Sequence, residues 1–145
     1  MPRFSKGGNI SKGILVRIKM LLSGTLKGIG NLQAKGNRRQ ILKNFKTGKP
    51  IIAKSEKALV WTEGAIYKLK TMWKGQEPYM EPVALMGTVY YSETLSDLDV
   101  SLLMDAIEKA GIIGNDRQVY EICFKKQFDK LNPRVEFSLD ECSPQ

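Results

Sequence analysis

The chain has 145 residues, 42% of them hydrophobic, which suits one domain with a moderate core, and it holds no run of about 18 apolar residues able to span a membrane. It contains no histidine and two cysteines, Cys123 and Cys142, outside any Cys-x-x-Cys pair; His-dependent nucleophilic triads are excluded, and neither a zinc site nor a disulfide scaffold is expected. The net charge of +8 is unevenly divided, with 17 basic residues against two acids over residues 1–74 and 6 against 13 over residues 75–145, balances of +15 and −7. Such a division reads either as a polyanion-binding surface beside a cation-binding pocket or as a cationic, solvated face with no partner.

Residues 1–13 are rich in Gly, Ser and Lys and are expected to be a flexible basic N-terminus; they lack the apolar stretch and cleavage site of a secretory signal. From Ile14 the pattern predicts a strand, with Ile14, Val16, Ile18, Met20 and Leu22 alternating with Arg17 and Lys19. Residues 23–39 read as a flexible basic loop in which Lys27, Lys35, Arg38 and Arg39 are candidate phosphate contacts. Gly28-x-Gly30 there completes neither nucleotide-cradling motif. Residues 41–54 predict two short strands about a turn at Lys46-Thr47-Gly48-Lys49, so that Lys43, Lys46, Lys49 and Lys54 present ammonium groups together. Ser55 is a plausible N-cap for a helix whose apolar face is Leu59, Thr62, Ile66, Leu69 and Trp73. Residues 83–91 are apolar on both alternating sets, which suits a central strand covered on both faces.

The chemistry-bearing stretch follows. Asp97 and Asp99, at i and i+2 of an extended segment, face the same side about 6 to 7 Å apart and repel unless a cation lies between them. Leu102, Leu103, Ala106, Ile107 and Ala110 then mark one face of a helix that Gly111 stops, and Asn115-Asp116 returns a third acid in a tight loop. If the helix brings the chain back near its point of departure, Asp116 joins the first pair and the three acids form a site for a hard cation such as Mg²⁺. The plainer reading makes Asp99 an N-cap and Asp116 a turn residue. A half-buried strand from Val119, with Tyr120, Ile122 and Phe124 inward, a turn at 127–133, a strand over 134–139 and a loose acidic tail at 140–145 complete the chain. The order of elements predicts an α+β fold, a mixed sheet with flanking helices in a single domain.

Asp97-Leu98-Asp99, the helix ending Asp105-Ala106-Ile107-Glu108-Lys109-Ala110-Gly111, and Asn115-Asp116-Arg117-Gln118-Val119 resemble the core motif of the RusA family of Holliday-junction resolvases. The likeness extends over roughly residues 14–139 and is closest from residue 83 onward. It implies a Mg²⁺-dependent endonuclease of the cytoplasm of a bacterial or phage-infected cell, acting as a homodimer on branched DNA. Asp97, Asp99 and Asp116 would be its metal-binding catalytic acids, and Lys126 a contact to the scissile phosphate. The chain departs from the family pattern where Val100 replaces the Asn after the second Asp, where Leu103 or Met104 stands in place of a lysine, and where Asn115 replaces the first of two paired acids. The interval to Asp116 is also about two residues short. The missing lysine supports the alternative expectation, a non-catalytic nucleic-acid-binding protein that keeps the fold, while the three retained aspartates argue against it, since a pure binder would gain affinity by losing them.

Overall fold

The computed structural model describes the backbone of residues 15–34, 39–43, 50–54 and 56–144. The expected flexible N-terminus, the Ser55 cap and four of the expected phosphate contacts, Lys35, Arg38, Lys46 and Lys49, lie outside the described residues. The elements in order are β1 (Leu15–Lys27), β2 (Arg39–Lys43), β3 (Pro50–Lys54), α1 (Glu56–Trp73), β4 (Val83–Tyr91), α2 (Ser101–Lys109), a 3-10 turn (Asp116–Gln118), β5 (Val119–Phe128) and β6 (Arg134–Pro144). Four strands form one mixed sheet in the order β1-β6-β4-β5, while β2 and β3 pair only with each other. The result is a small α+β domain with a mixed sheet and two helices.

The core lies on one face of the sheet. Val83, Leu85, Val89 and Tyr91 of β4 and Val135, Phe137 and Leu139 of β6 meet Trp61, Ala65 and Leu69 of α1 and Leu102, Leu103, Ala106 and Ile107 of α2. Alternation along a strand sends the intervening residues to the other face, where Ala84 is fully buried although, among the described residues, both helices pack on the first side. Met86, Thr88 and Tyr90 on that second side are half-buried. Arg134 lies 3.7 Å from the centre of the Tyr90 ring and bonds Asp129 at 2.8 Å and Glu136 at 2.9 Å. The Arg134 guanidinium holds the Asp129 carboxyl below its usual value.

Several expectations are adjusted by packing. Strand β1 runs through Gly24 to Lys27, where a loop was expected, because α1 presses on it: a Cβ at Gly24 would stand 2.9 Å from Met72 Sδ. Register shifts on either side of Met20 break the predicted alternation and leave Ile18 62% and Met20 57% exposed. The buried face of α1 is Ala58, Trp61, Thr62, Ala65, Leu69 and Trp73, rotated from the predicted one so that Leu59 is exposed. The expected acidic tail is the last part of β6, paired with β1 as far as Leu15 opposite Pro144. Among the described residues β5 is the edge of the sheet, and its predicted inward residues Tyr120 and Ile122 are 54% and 47% exposed. Among the described residues no helix is long and apolar enough to cross a membrane.

Candidate functional site at the acid-bearing loop

Residues 92–100 join the end of β4 to the start of α2 without regular structure, and side chains from three other segments hold them in place. Just after β1, Asn31 grips Ser92 twice: its Oδ1 accepts from the Ser92 N–H at 2.8 Å and its Nδ2 donates to Ser92 Oγ at 2.8 Å. Glu93 closes the next turn, accepting from the Leu95 N–H at 3.2 Å and from Ser96 Oγ at 2.9 Å. From β4, the buried Tyr91 hydroxyl donates to the Asp97 carbonyl at 2.9 Å. From β5, Lys126 Nζ donates to the carbonyls of Thr94, at 3.1 Å, and Ser96, and stands 5.9 Å from the centre of the Tyr91 ring.

This anchoring presents Asp97 and Asp99 together. Burial raises the Tyr91 hydroxyl above its ordinary range; hydrogen bonding from the Asp99 backbone lowers it partway, and the charges of Asp99 and Asp97 raise it again. Both carboxylates therefore act on one phenol. Asp97 is exposed and Asp99 half-buried. Asp99 Oδ1 also accepts from the Ser101 N–H at 2.9 Å, but the N-cap of α2 is Val100, one residue later than the plainer reading placed it. Lys126 sets two of its three ammonium hydrogens on main-chain carbonyls.

Asp116 is placed elsewhere. The helix α2 ends in a Schellman motif, with Gly111 at φ 81, its N–H on the Glu108 carbonyl at 3.0 Å, and the Ile112 N–H on the Ile107 carbonyl at 3.2 Å. Its nine residues carry the chain about 13 Å, back toward the end of the sheet where β5 begins in register with the first residue of β4, Val119 opposite Val83. Asp99 is at one end of this crossover and Asp116 at the other. Among the described residues no three Asp, Glu or Cys side chains are grouped as a metal site. A crossover between parallel strands delivers the chain to the start of the first strand, so Asp116 lies at the opposite end of α2 from Asp97 and Asp99.

The turn holding Asp116 is closed by its neighbours. Asn115 Oδ1 accepts from the Arg117 N–H at 2.8 Å and from Arg117 Nε at 3.2 Å. Gln118 Oε1 accepts from the N–H groups of Gly114 and Asn115 at 2.8 and 2.9 Å, while its Nε2 donates to the carbonyls of Tyr79 and Glu81 at 2.8 and 3.0 Å. Asn115 and Gln118 thus form a reciprocal capping box.

Of the expected phosphate contacts, Lys27 ends β1 as an exposed residue, directly opposite Arg134 of β6. Arg39, Lys43 and Lys54 belong to the β2–β3 ribbon, whose register sets Arg39 opposite Lys54. Asn31 and Tyr91 are functional candidates that the sequence reading missed. Asn31 gives no local signal for a partner 61 residues away, and Tyr91 reads as one more apolar strand residue. Trp61, Trp73 and Tyr91 are core residues.

A search with family models finds no match for the chain, and no curated protein matches it.

Proposed function

We propose that the chain is a Mg²⁺-dependent, structure-selective endodeoxyribonuclease of the RusA type. It would hydrolyse phosphodiesters in four-way junctions and related branched DNA during recombination, repair or phage DNA processing, as a homodimer in the cytoplasm. The observation that carries this reading is the loop bearing Asp97 and Asp99, which Asn31, Tyr91 and Lys126 anchor from three other segments. A single acid used only as a helix cap needs no such fixation. The donor set fits Mg²⁺, which is commonly held by one or two carboxylates together with water and substrate phosphates, so a third acid from the same chain is not required. When bound, the ion would polarise the scissile phosphate and lower the pKa of an attacking water.

The chain's own residues do the rest. Asp97 and Asp99 supply the negative charge, Tyr91 and Lys126 fix the backbone on which they stand, and the cationic first half supplies phosphate contacts that position branched DNA. The separation of Asp116 favours the second reading, a nucleic-acid-binding protein without catalysis. One experiment divides the two: purified protein is incubated with a synthetic four-way junction, linear duplex and single strand, with and without Mg²⁺. Cleavage confined to branched DNA in the presence of the ion is the expected result. Tight junction binding without any cutting, across a range of Mg²⁺ and Mn²⁺ concentrations, would refute the enzyme and leave the binder.

A further inference from the structure

We infer that Lys126 is a positioning residue for the acid-bearing loop and not a contact to the scissile phosphate, an inference that rests on the nuclease reading for its catalytic consequence alone. Lys126 stands opposite Val89 on β5, two residues before the Tyr91–Phe128 pair, and its ammonium reaches back to the loop that follows β4. The carbonyls it meets, at Thr94 and Ser96, lie on the turn that Glu93 closes, within reach of a single ammonium. The next carbonyl, that of Asp97, is taken by the Tyr91 hydroxyl. The backbone on the N-terminal side of Asp97 and the carbonyl of Asp97 itself are therefore fixed by two side chains from adjacent strands, with the ammonium 5.9 Å from the ring of the second.

Among the described residues no strand pairs with residues 94–97, and these side chains take the place of a sheet ladder. An ammonium is suited to the task because it donates in three directions and bonds carbonyls more strongly than a neutral donor does. One ammonium hydrogen remains, which leaves a single donor for any phosphate. Removing the ammonium lets the loop open locally while β4 and α2 keep their own hydrogen bonds.

The test uses K126M, which keeps an apolar stem, and K126R, which keeps two or more donors. In the full-length protein, amide hydrogen exchange over residues 92–100 should rise at least tenfold in K126M, with exchange in β4 and α2 unchanged, and K126R should stay within about threefold of wild type. Junction turnover should fall at least thirtyfold in K126M and recover most of the way in K126R. The junction Kd and its salt dependence should be unaltered in both. Two results would overturn the inference: exchange over 92–100 in K126M that equals wild type, or a salt slope reduced by about one, which is the mark of a lost phosphate contact. If the wild-type protein cuts no junction, the nuclease reading fails by itself, and the exchange measurement still decides whether Lys126 holds the loop.

Discussion

At the N-terminal end of α2 the chain crosses from β4 on residues 92–100, which Asn31, Tyr91 and Lys126 hold from outside the loop. At the C-terminal end, residues 110–118 close on themselves through a Schellman motif and the Asn115–Gln118 capping box, and they reach outward to the segment at Tyr79–Glu81 through the Gln118 side chain and the Ile112 carbonyl. Both loops carry aspartates, but they use side chains differently. In the second, the polar side chains complete the turn itself. In the first, distant residues secure the main chain, and the loop's own acids stand at the surface or half-buried at the helix start. Fixing a loop of nine residues costs conformational entropy of about 1–2 kcal/mol per residue, so a fold that places three anchors on one loop stabilises a particular geometry there. That contrast separates a loop built to present groups from one built to end a helix.

The largest effect that sharpens this contrast belongs to Asp97. D97N keeps size and removes charge at an exposed position, so the fold should be unchanged while single-turnover cleavage of a four-way junction falls at least ~10³-fold, roughly 4 kcal/mol of barrier. Junction affinity should hold or rise, because a negative charge near phosphate is lost. Cleavage that survives D97N with little change would remove Asp97 from the chemistry.

Next comes the self-closed loop. Gln118 makes four hydrogen bonds through one amide, and Q118A deletes all of them at a half-buried position where water replaces only part. A loss of about 2–3 kcal/mol in denaturant unfolding is expected, with cleavage changed only in proportion to the folded fraction. A cleavage defect exceeding the stability defect would mean that the second loop, too, presents a functional group.

Tyr91 tests the anchored loop more gently. Y91F removes the hydrogen bond donated to the carbonyl of the exposed Asp97 and the one received from the Asp99 backbone, and should cost about 1–2 kcal/mol at neutral pH. The pH dependence follows from the direction of the Tyr91 shift. Its folded value lies above the ordinary 10.0, so its contribution is complete below about pH 10 and is lost as pH rises through the folded value, the unfolded chain releasing the proton first. Wild type should therefore lose stability above pH 10, and Y91F should lose less. The remaining alkaline slope includes Tyr79, raised by burial and by Glu141 and Glu81. Equal slopes in the two proteins would show that Tyr91 is not the group that titrates.

Much of the framework was legible from local pattern. Val83–Tyr91 emerges as β4 because an uninterrupted apolar run is bounded by Pro82 and by polar Ser92-Glu93, and α2 emerges from the spacing of Leu102, Leu103, Ala106 and Ile107 with Gly111 behind it. What the sequence concealed depends on partners distant along the chain. The Asn31–Ser92 clamp has no periodic signature, and the continuation of β1 through Gly24 reflects the helix lying on it. The acids Asp140 and Glu141 suggested a loose tail, yet they sit in β6 on a sheet that leaves one face to solvent. For the candidate site, the i, i+2 spacing of Asp97 and Asp99 was readable, as was the possibility that Asp116 is a turn residue. Whether Asp116 joins them was not readable, because periodicity reveals a crossover helix but not which end of the sheet it returns to.

The smallest expected effect, and the sharpest for the comparison, is at Asp116 itself. Its carboxylate is half-buried at the first position of the 3-10 turn, where a negative charge gains a few tenths of a kcal/mol from the exposed N–H groups, and asparagine keeps the shape of the side chain. D116N should therefore leave junction cleavage within about threefold of wild type and shift the unfolding midpoint only slightly. A loss as deep as that of D97N would place Asp116 in the chemistry after all. Because α2 stands between Asp116 and Asp99 within one chain, the carboxylate would then have to act on the partner's pair. Mixing D97N and D116N chains distinguishes that arrangement: heterodimers would regain one intact site if Asp116 works across the dimer, and would stay inactive if both acids serve the same chain.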